Sequence, residues 1–391
     1  MKTVEGWSSF AIEQCCDILD SMRVPVNAED RNKRIGEIPY YGANGLQGYI
    51  DDFIFDEPLI LVAEDGGCFD EFATRPIAYR VKGKSWVNNH AHVLRAKEAF
   101  CQDAIFYNLE HKDIQSFIVG GTRSKLNQVA LRSITFTLPT SKTEQAKIAE
   151  ILSTVDRAIE QTEALIAKQQ RIKTGLMQDL LTGGIDEHGN LRSEQTHQFK
   201  DSPLGRIPVE WKATQIIKAA SLQRGHDITA GELLDGPYPV VSSSGIIGWH
   251  REYTSNGPNV VVGRKGTIGN VHYLQEKFWA HDTSLYVTNF YGNDEKFFYY
   301  LFIHLDLARF GTKSGSPSLN RNDIHPIWIG LPISTEQSQI ANILTECDRQ
   351  TNSHCSNLAK VKRLKIALMQ DLLTGKKRVT DLLDDTEAVV L

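Results

Sequence analysis

Patterns that could support catalysis are few in this chain of 391 residues. The segment KGKS at residues 82–85 is similar to the end of a phosphate-binding loop, but Ala78 stands where that loop needs a glycine. A turn at the end of a strand is the favoured interpretation. Zinc-protease, serine-hydrolase and paired-carboxylate motifs are missing, and the twelve histidines lack the spacing of metal ligands. The sequence therefore predicts neither an enzyme nor a cofactor or metal site.

A second glycine-rich segment, VVVGRKGTIG at residues 260–269, follows an apolar run. Its glycines are three residues apart, which differs from the G-x-G-x-x-G pattern of dinucleotide-binding proteins. We interpret it as a hairpin with Arg264 and Lys265 at the tip. Two roles stay open for this tip, because basic loop tips can be purely structural or can contact phosphates and bases. His90 and His281 leave a similar choice between capping a strand end and touching a base.

Composition excludes several classes of protein. Six cysteines without a C-x-x-C pattern are too poorly spaced for a disulfide scaffold or a zinc site. The start MKTVEGWSSF lacks the layout of a signal peptide, and an apolar run of roughly 18 residues is missing, so we expect a cytoplasmic protein. The net charge is −5; residues 206–331 carry 12 basic and 11 acidic side chains, and residues 1–137 carry 15 and 19. Because phosphate contacts need Lys and Arg, we expect this chain alone to bind DNA weakly.

The strongest pattern is a repeated long helix. The residues LMQDLLTG occur at 176–183 and again at 368–375, and extending the match upstream pairs residues 144–183 with 336–375, with 20 identities in 40 positions. Apolar residues recur in steps of four and three, which is typical of a coiled-coil seam. About 39 residues at 1.5 Å each would make a rod of roughly 58 Å. The predicted seam residues are Ile148, Leu152, Val155, Ile159, Ile166, Leu176, Leu180, Ile340, Leu344, Leu358, Val361, Leu368 and Leu372.

Start and stop signals bound both helices. Ser141 and Glu144 fit a capping box, and Ser334 and Gln337 are assigned the same roles in the second copy. Gly183 stands where a left-handed residue is expected after the first helix.

The segments before the helices repeat more faintly. PYYGANGLQGY at residues 39–49 matches PVVSSSGIIGW at 239–249 in its proline and two of its glycines, and Gly66 matches Gly266 at the same offset of 200. Asn127 matches Asn320 at an offset of 193. Matched turn residues with different residues between them predict one scaffold that carries two different surfaces.

This layout resembles the specificity subunit of type I restriction-modification enzymes. The resemblance rests on LPTSKTEQAKIAEIL and LPISTEQSQIANIL, each followed by LMQDLLTG, and on the connector SPLGRIPVEW, and it covers nearly the whole chain. It implies an α+β fold, with two similar globular α/β target recognition domains separated by two long antiparallel helices that form a coiled coil. The internal duplication would have pseudo-twofold symmetry. The expected order is recognition domain 1 (1–138), helix 1 (139–183), connector (184–205), recognition domain 2 (206–331), helix 2 (332–375) and tail (376–391).

The resemblance also implies the partners. Each recognition domain would read one half of a split sequence in double-stranded DNA, and two methyltransferase subunits and the restriction and translocase subunits would assemble on the chain. S-adenosylmethionine, ATP and Mg²⁺ are expected in those partners and not in this chain. A non-enzymatic adaptor or repressor, with two DNA- or protein-binding domains on a coiled coil, is the alternative, and co-purification with a methyltransferase subunit would separate the two.

Residues that contact DNA are expected among polar loop residues beside the matched turns, because Asn and Arg can contact adenine and guanine through two hydrogen bonds. The candidates are Asn44, Asn88, Asn89, Arg123, Lys125, Ser243, Ser244, Arg264, Lys265, Lys313, Ser316 and Arg321.

Adding one heptad to both long helices tests their expected spacer role. Seven residues add about 10.5 Å at 1.5 Å each, or roughly three base pairs at 3.4 Å each. A heptad keeps the seam within about 20° of its original phase, so folding should survive. We expect the unread gap in the DNA target to lengthen while both read blocks stay the same, measured by methylation of DNA libraries with varied gaps by the reconstituted complex. An unchanged gap preference in a folded variant contradicts the spacer role.

Overall fold

The computed structural model describes residues 4–120, 124–233, 235–311 and 317–383. The chain divides into two compact units, the first comprising Met1–Glu163 with Asn357–Leu391 and the second comprising Ala164–Ser356. Among the residues described, no helix is both long and apolar enough to cross a membrane. The helices are α1 (Ile12–Cys15), α2 (Ala28–Lys33), α3 (Gln102–Glu110), α4 (Gln128–Ser133), α5 (Lys142–Thr182), α6 (Glu295–His304), α7 (Arg321–Ile324) and α8 (Ser334–Leu372).

The first unit contains two four-stranded sheets. One is antiparallel with the order β2-β9-β6-β7; the other has the order β4-β3-β8-β5, in which β3 and β8 are parallel. A separate antiparallel pair, β1 with β10, leads into α5. The strands are β1 (Trp7–Ala11), β2 (Cys16–Ile18), β3 (Ile38–Gly42), β4 (Gly45–Ile50), β5 (Phe55–Asp56), β6 (Leu59–Ala63), β7 (Ala78–Val81), β8 (Lys84–Val87), β9 (Ala91–Ala96) and β10 (Thr135–Pro139).

The second unit repeats this topology. Its antiparallel sheet has the order β14-β20-β17-β18, its second sheet has the order β16-β15-β19 with β15 and β19 parallel, and β13 pairs with β21 before α8. A hairpin of β11 and β12 precedes them. The strands are β11 (Phe199–Ser202), β12 (Gly205–Pro208), β13 (Lys212–Gln215), β14 (Ser221–Arg224), β15 (Tyr238–Ser242), β16 (Gly245–His250), β17 (Asn259–Gly263), β18 (Val271–Leu274), β19 (Trp279–Ala280), β20 (Ser284–Asn289) and β21 (Trp328–Leu331).

The repeat extends to details of register. The β3–β4 hairpin has an irregularity between Tyr40 and Tyr41, and the β15–β16 hairpin has one between Val240 and Val241, 200 residues later. The predicted duplication is therefore confirmed at the level of strand order and bulge position. The β17–β18 hairpin confirms the interpretation of the glycine-rich segment, and Gly83, with φ +71°, forms the turn predicted for KGKS.

Each unit has an apolar core to which the ends of the long helices contribute. Leu61 in β6 and Val261 in β17 are fully buried, as expected for central strands covered on both faces. Ile148 and Leu152 of α5 join the core of the first unit, and Leu344 of α8 joins that of the second. Fully burying a leucine side chain contributes about 1.5–3 kcal/mol, so these contacts fix the helix ends to the sheets.

The predicted seam residues are more buried at the helix ends than between them. Leu180, Ile340 and Leu372 are buried, whereas Ile159, Ile166, Leu358 and Val361 are only half-buried. Polar contacts accompany the half-buried stretch within each unit: Gln169 Nε2 donates to Gln350 Oε1 at 2.5 Å in the second, and Lys362 Nζ lies 2.7 Å from Glu163 Oε1 in the first.

Three predicted helix signals need correction. Helix α8 begins at Ser334, so this serine is not the cap, and the Gln337 side chain donates to the carbonyl oxygen of Pro332. Glu144 retains half of the capping box, since its backbone N–H donates to Ser141 Oγ at 3.4 Å, but its carboxylate pairs with an arginine. The left-handed residue after α5 is Gly184, with φ +66°, and not Gly183.

The carboxylates at the two helix starts are buried and paired. Glu144 accepts two hydrogen bonds from Arg378, at 2.6 and 2.8 Å, within the first unit. Glu336 pairs with Arg192 at 2.5 Å and accepts from Trp211 Nε1 within the second. Segments predicted as tail and connector therefore hold the helix starts, and the β11–β12 hairpin crosses the boundary expected between residues 205 and 206.

Candidate nucleic-acid interface

Charged side chains from three segments of the first unit meet around Glu64, which follows β6. Arg23 Nη1 lies 2.6 Å from Glu64 Oε2, and Lys125 Nζ lies 3.0 Å from Glu64 Oε1. The backbone N–H of Leu126 donates to the Glu64 carbonyl oxygen at 2.8 Å. Burial acts to raise the pKa of Glu64, but the hydrogen bonds from Arg23 and Lys125 outweigh it and hold the pKa below its usual value. The carboxylate is therefore charged at neutral pH and fixes the Lys125 segment beside β6.

His92 extends this cluster into the protein. Its Nδ1 lies 2.6 Å from Asp20 Oδ2 and its Nε2 lies 2.8 Å from the carbonyl oxygen of Leu126. The ring therefore links β9 to Asp20 on one side and to the backbone before α4 on the other. Burial acts to raise the pKa of Asp20, but the hydrogen bond and charge of His92 outweigh it and lower the pKa. Asp20, Glu64 and His92 offer ligand atoms within 4.8 Å of one another, but Arg23 and Lys125 already neutralise the carboxylates.

The equivalent position of the second unit carries a residue of opposite charge. Arg264 follows β17, and its carbonyl oxygen accepts from the backbone N–H of Leu319 at 2.9 Å, as Glu64 does from Leu126. Arg264 Nη1 donates to the carbonyl oxygen of Asp282 at 3.3 Å, and Arg224 Nη2 lies 2.8 Å from Asp282 Oδ2. A basic side chain thus replaces an acidic one beside the same backbone hydrogen bond.

The predicted DNA-contacting residues fall into three groups. Arg123, Lys313 and Ser316 lie outside the described residues. Asn88 and Ser243 are buried, at 4% and 6% exposure, and Asn88 is bonded to Gln47 and to the backbone of His90, so neither presents an open surface for a base. The remaining candidates are at least partly exposed, and those of each unit lie on the loops around the Glu64 and Arg264 positions: Asn44, Asn89, Lys125, Ser244, Arg264, Lys265 and Arg321.

Sequence reasoning missed several polar residues of these surfaces. Arg23, Asp20 and His92 come from segments with no matched turn, and nothing in their local pattern marks them. Arg224 and Asp282 were also missed. The charge reversal could have been found, because the offset of 200 that pairs Gly66 with Gly266 also pairs Glu64 with Arg264.

The two histidines left open in the sequence have local partners. His90 Nδ1 lies 2.6 Å from Asp65 Oδ1, and His281 Nδ1 lies 2.8 Å from Thr283 Oγ1. Both side chains hold the turn after a short strand, which favours the capping role over base contact.

Each unit also contains a polar junction between a short helix, α3 or α6, and the long helices. In the first, Asp156 of α5 accepts from Tyr107 Oη at 2.6 Å and pairs with Lys365 of α8 at 2.8 Å. In the second, Asp348 of α8 accepts from Tyr300 Oη at 2.8 Å and pairs with Lys173 of α5. Burial, reinforced by the neighbouring carboxylate, raises the pKa of both tyrosines, so each phenol stays protonated and donates.

The repeated Glu-Gln pair has a physical role at the same junctions. Gln145 donates to the carbonyl oxygen of Pro139 at 2.8 Å and accepts from the backbone N–H of Cys101, which precedes α3. Gln337 donates to Pro332 at 2.9 Å and accepts from the backbone N–H of Asp294, which precedes α6. Each glutamine therefore ties a long helix to the start of the short helix before it.

Comparisons with known proteins agree with this architecture. A family model described as "Type I restriction modification DNA specificity domain" matches residues 4–169 and 208–363. A Haemophilus influenzae protein named as a type I restriction enzyme specificity subunit is 27% identical over 359 residues, which cover 88% of each chain. The crystal structure of the S subunit of a type I restriction-modification system from M. genitalium has a TM-score of 0.68 at 17% identity, over 95% of this chain and 98% of that one.

A second solved structure, titled for complex assembly and conformational transition of the type I restriction-modification system, has a TM-score of 0.55 at 12% identity, over 95% of this chain and 99% of that one. Because the family model matches residues in both units, the chain has two repeated DNA specificity domains. The chain belongs to the type I restriction-modification specificity family, and the resemblance found in the sequence is confirmed.

Replacing Tyr300 by Phe tests the junction of the second unit. The variant loses a hydrogen bond to the charged Asp348, and we expect a loss of about 1–2 kcal/mol in the free energy of unfolding. Tyr299→Phe is the matched control, because among the described residues its hydroxyl forms no hydrogen bond, and it should cost less than about 0.5 kcal/mol. Urea unfolding followed by tryptophan fluorescence measures both. Equal losses in the two variants would contradict a role for the junction.

Proposed function

We propose that this chain is the DNA-recognition subunit of a type I restriction-modification enzyme and that it reads a bipartite target in double-stranded DNA. Each unit reads one block of bases, and the long helices separate the two blocks. The chain carries out no catalysis of its own. It assembles two methyltransferase subunits and the restriction subunits around the target.

One observation carries this proposal: the same topology occurs twice, with different side chains on corresponding loops. Glu64 and Asp65 in the first unit correspond to Arg264 and Lys265 in the second, while the backbone bond to the segment at Leu126 or Leu319 is the same. A purely structural repeat has no need for opposite charges at equivalent loop tips. Two surfaces that meet different base pairs need different side chains, because each base pair presents its own pattern of donors and acceptors in the major groove.

The partners and cofactors follow from the same proposal. The solved structure whose title names complex assembly supports a multi-subunit enzyme. The turn at Gly83, formed without the glycine that a phosphate loop needs at Ala78, supports nucleotide binding elsewhere. S-adenosylmethionine, ATP and Mg²⁺ are bound by the partner subunits, which also supply much of the phosphate contact. The complex works in the cytoplasm, where the DNA is.

Exchanging residues 206–331 for the equivalent segment of another specificity subunit tests the independence of the domains. We expect one half of the recognised sequence to change, and the other half and the gap to stay the same, because the second surface is built from residues of its own unit. Sequencing of the methylated sites made by the reconstituted complex gives the answer. The matched control exchanges residues 1–138. A change in both halves after either exchange would show that the domains do not read independently.

The isolated chain should neither bind S-adenosylmethionine nor methylate or cut DNA. The physical reason is that the sequence lacks the glycine pattern of a nucleotide-binding loop, with Ala78 where that loop needs a glycine. Calorimetric titration of the cofactor into the chain, with the methyltransferase complex as positive control, measures this. Saturable heat of binding with the chain alone overturns the assignment of the cofactor to the partners.

A further inference from the structure

The charge reversal between the two loops makes the surfaces chemically unequal. In the first unit Glu64 is occupied by Arg23 and Lys125, and Asp65 by His90 at 2.6 Å. Each acidic group therefore has a partner within the protein. In the second unit, among the described residues, Arg264 and Arg321 leave most of their donors without a partner.

Arg264 illustrates this directly. Among the described residues, the side chain donates one hydrogen bond, from Nη1 to the carbonyl oxygen of Asp282 at 3.3 Å. A guanidinium has five N–H donors, so four point elsewhere. Arg321, at the start of α7, is exposed and its side chain forms no hydrogen bond or ion pair within the described part of the chain. Both can therefore contact a ligand without losing an internal partner.

These arginines line one groove. Its volume is about 820 Å³, and its lining includes Gln223, Arg224, His226, Arg264, Asn320 and Arg321. Arg224 is held by Asp282 at 2.8 Å, and Asn320 uses its Oδ1 to accept from the backbone N–H of Asn322, which leaves its amide nitrogen for a ligand. Arginine, glutamine and asparagine are the side chains that make paired hydrogen bonds to base edges.

We propose that this groove reads guanine, with Arg264 and Arg321 as the residues that set base preference in the half-site of the second unit. The proposal rests on the proposed function and adds to it the chemistry of the bases recognised. Guanine presents two acceptors, O6 and N7, on its major-groove edge, and the planar guanidinium matches both. Asp282 acts as a positioning residue, because its carboxylate holds Arg224 and its carbonyl oxygen holds Arg264. The acidic cluster of the first unit offers no equivalent donor pair at Glu64.

The test uses the complex reconstituted with its methyltransferase subunits and sequences the sites it methylates. With Arg264→Ala or Arg321→Ala we expect the preference for guanine at one base pair of the second half-site to fall about 10- to 100-fold. The first half-site should be unchanged. Arg251→Ala is the matched control, because Arg251 is an exposed arginine of the same unit outside the groove lining.

Arg264→Lys keeps the positive charge and removes the planar fork. We expect it to retain binding to non-specific DNA within about twofold while losing guanine preference, since a phosphate contact needs charge and a base contact needs geometry. If the complex with Arg264→Ala fails to assemble, Arg264→Lys still tests whether Arg264 sets the base preference. Equal weakening on all sequences, with a smaller dependence on salt, would show that the arginines contact phosphates only and would overturn the proposal.

The experiments distinguish failure of this proposal from failure of the proposed function. If exchange of residues 206–331 changes one half-site but no arginine variant alters base preference, the chain reads DNA through other residues and this proposal fails alone. If the exchange changes neither half-site, the proposed function itself fails.

Discussion

Two buried carboxylates hold the starts of the long helices in place. Glu144 and Glu336 are only 2% and 4% exposed, and an unpaired charge at such a position would cost several kcal/mol. Each is satisfied by an arginine that follows the LMQDLLTG sequence ending the other long helix, Arg378 and Arg192 respectively. The start of one long helix and the residues beyond the end of the other must therefore be held together within each unit. This requirement explains why the helix-start sequence and the LMQDLLTG sequence are repeated together.

Much of the architecture could be predicted because it depends on local patterns. The helices follow from the apolar period, and the hairpins follow from matched turn residues such as Gly66 and Gly266, which have φ of +65° and +76°. Helix starts were predicted less well. Ser334 is a residue type that caps helices, but the Gln337 side chain donates to Pro332 and accepts from the backbone N–H of Asp294. No local sequence rule anticipates these contacts.

The candidate site was less predictable for a physical reason. Loop residues such as Asn88 have the right chemistry for DNA contact, but burial is decided by the packing of several segments. Arg23 and Arg224 acquire their positions from pairing with Glu64 and Asp282, which are 41 and 58 residues away in sequence. Such pairings leave no periodic pattern. The charge reversal between Glu64 and Arg264 could have been found in the sequence, however, because aligning the two copies places these residues at corresponding positions.

Backbone and side chains have separate roles in the loops that follow β6 and β17. The loop path depends on glycine turns and on bonds between main-chain atoms, such as Leu126 N–H to Glu64 and Leu319 N–H to Arg264. These bonds do not depend on the side chains that the loop carries, so Glu and Arg are accommodated at the same place. A change of charge in the loop then needs only a new partner in a neighbouring turn, as Asp282, between β19 and β20, provides for the arginines of the second unit. The fold can therefore keep its junctions with the long helices while the chemistry of each surface changes independently.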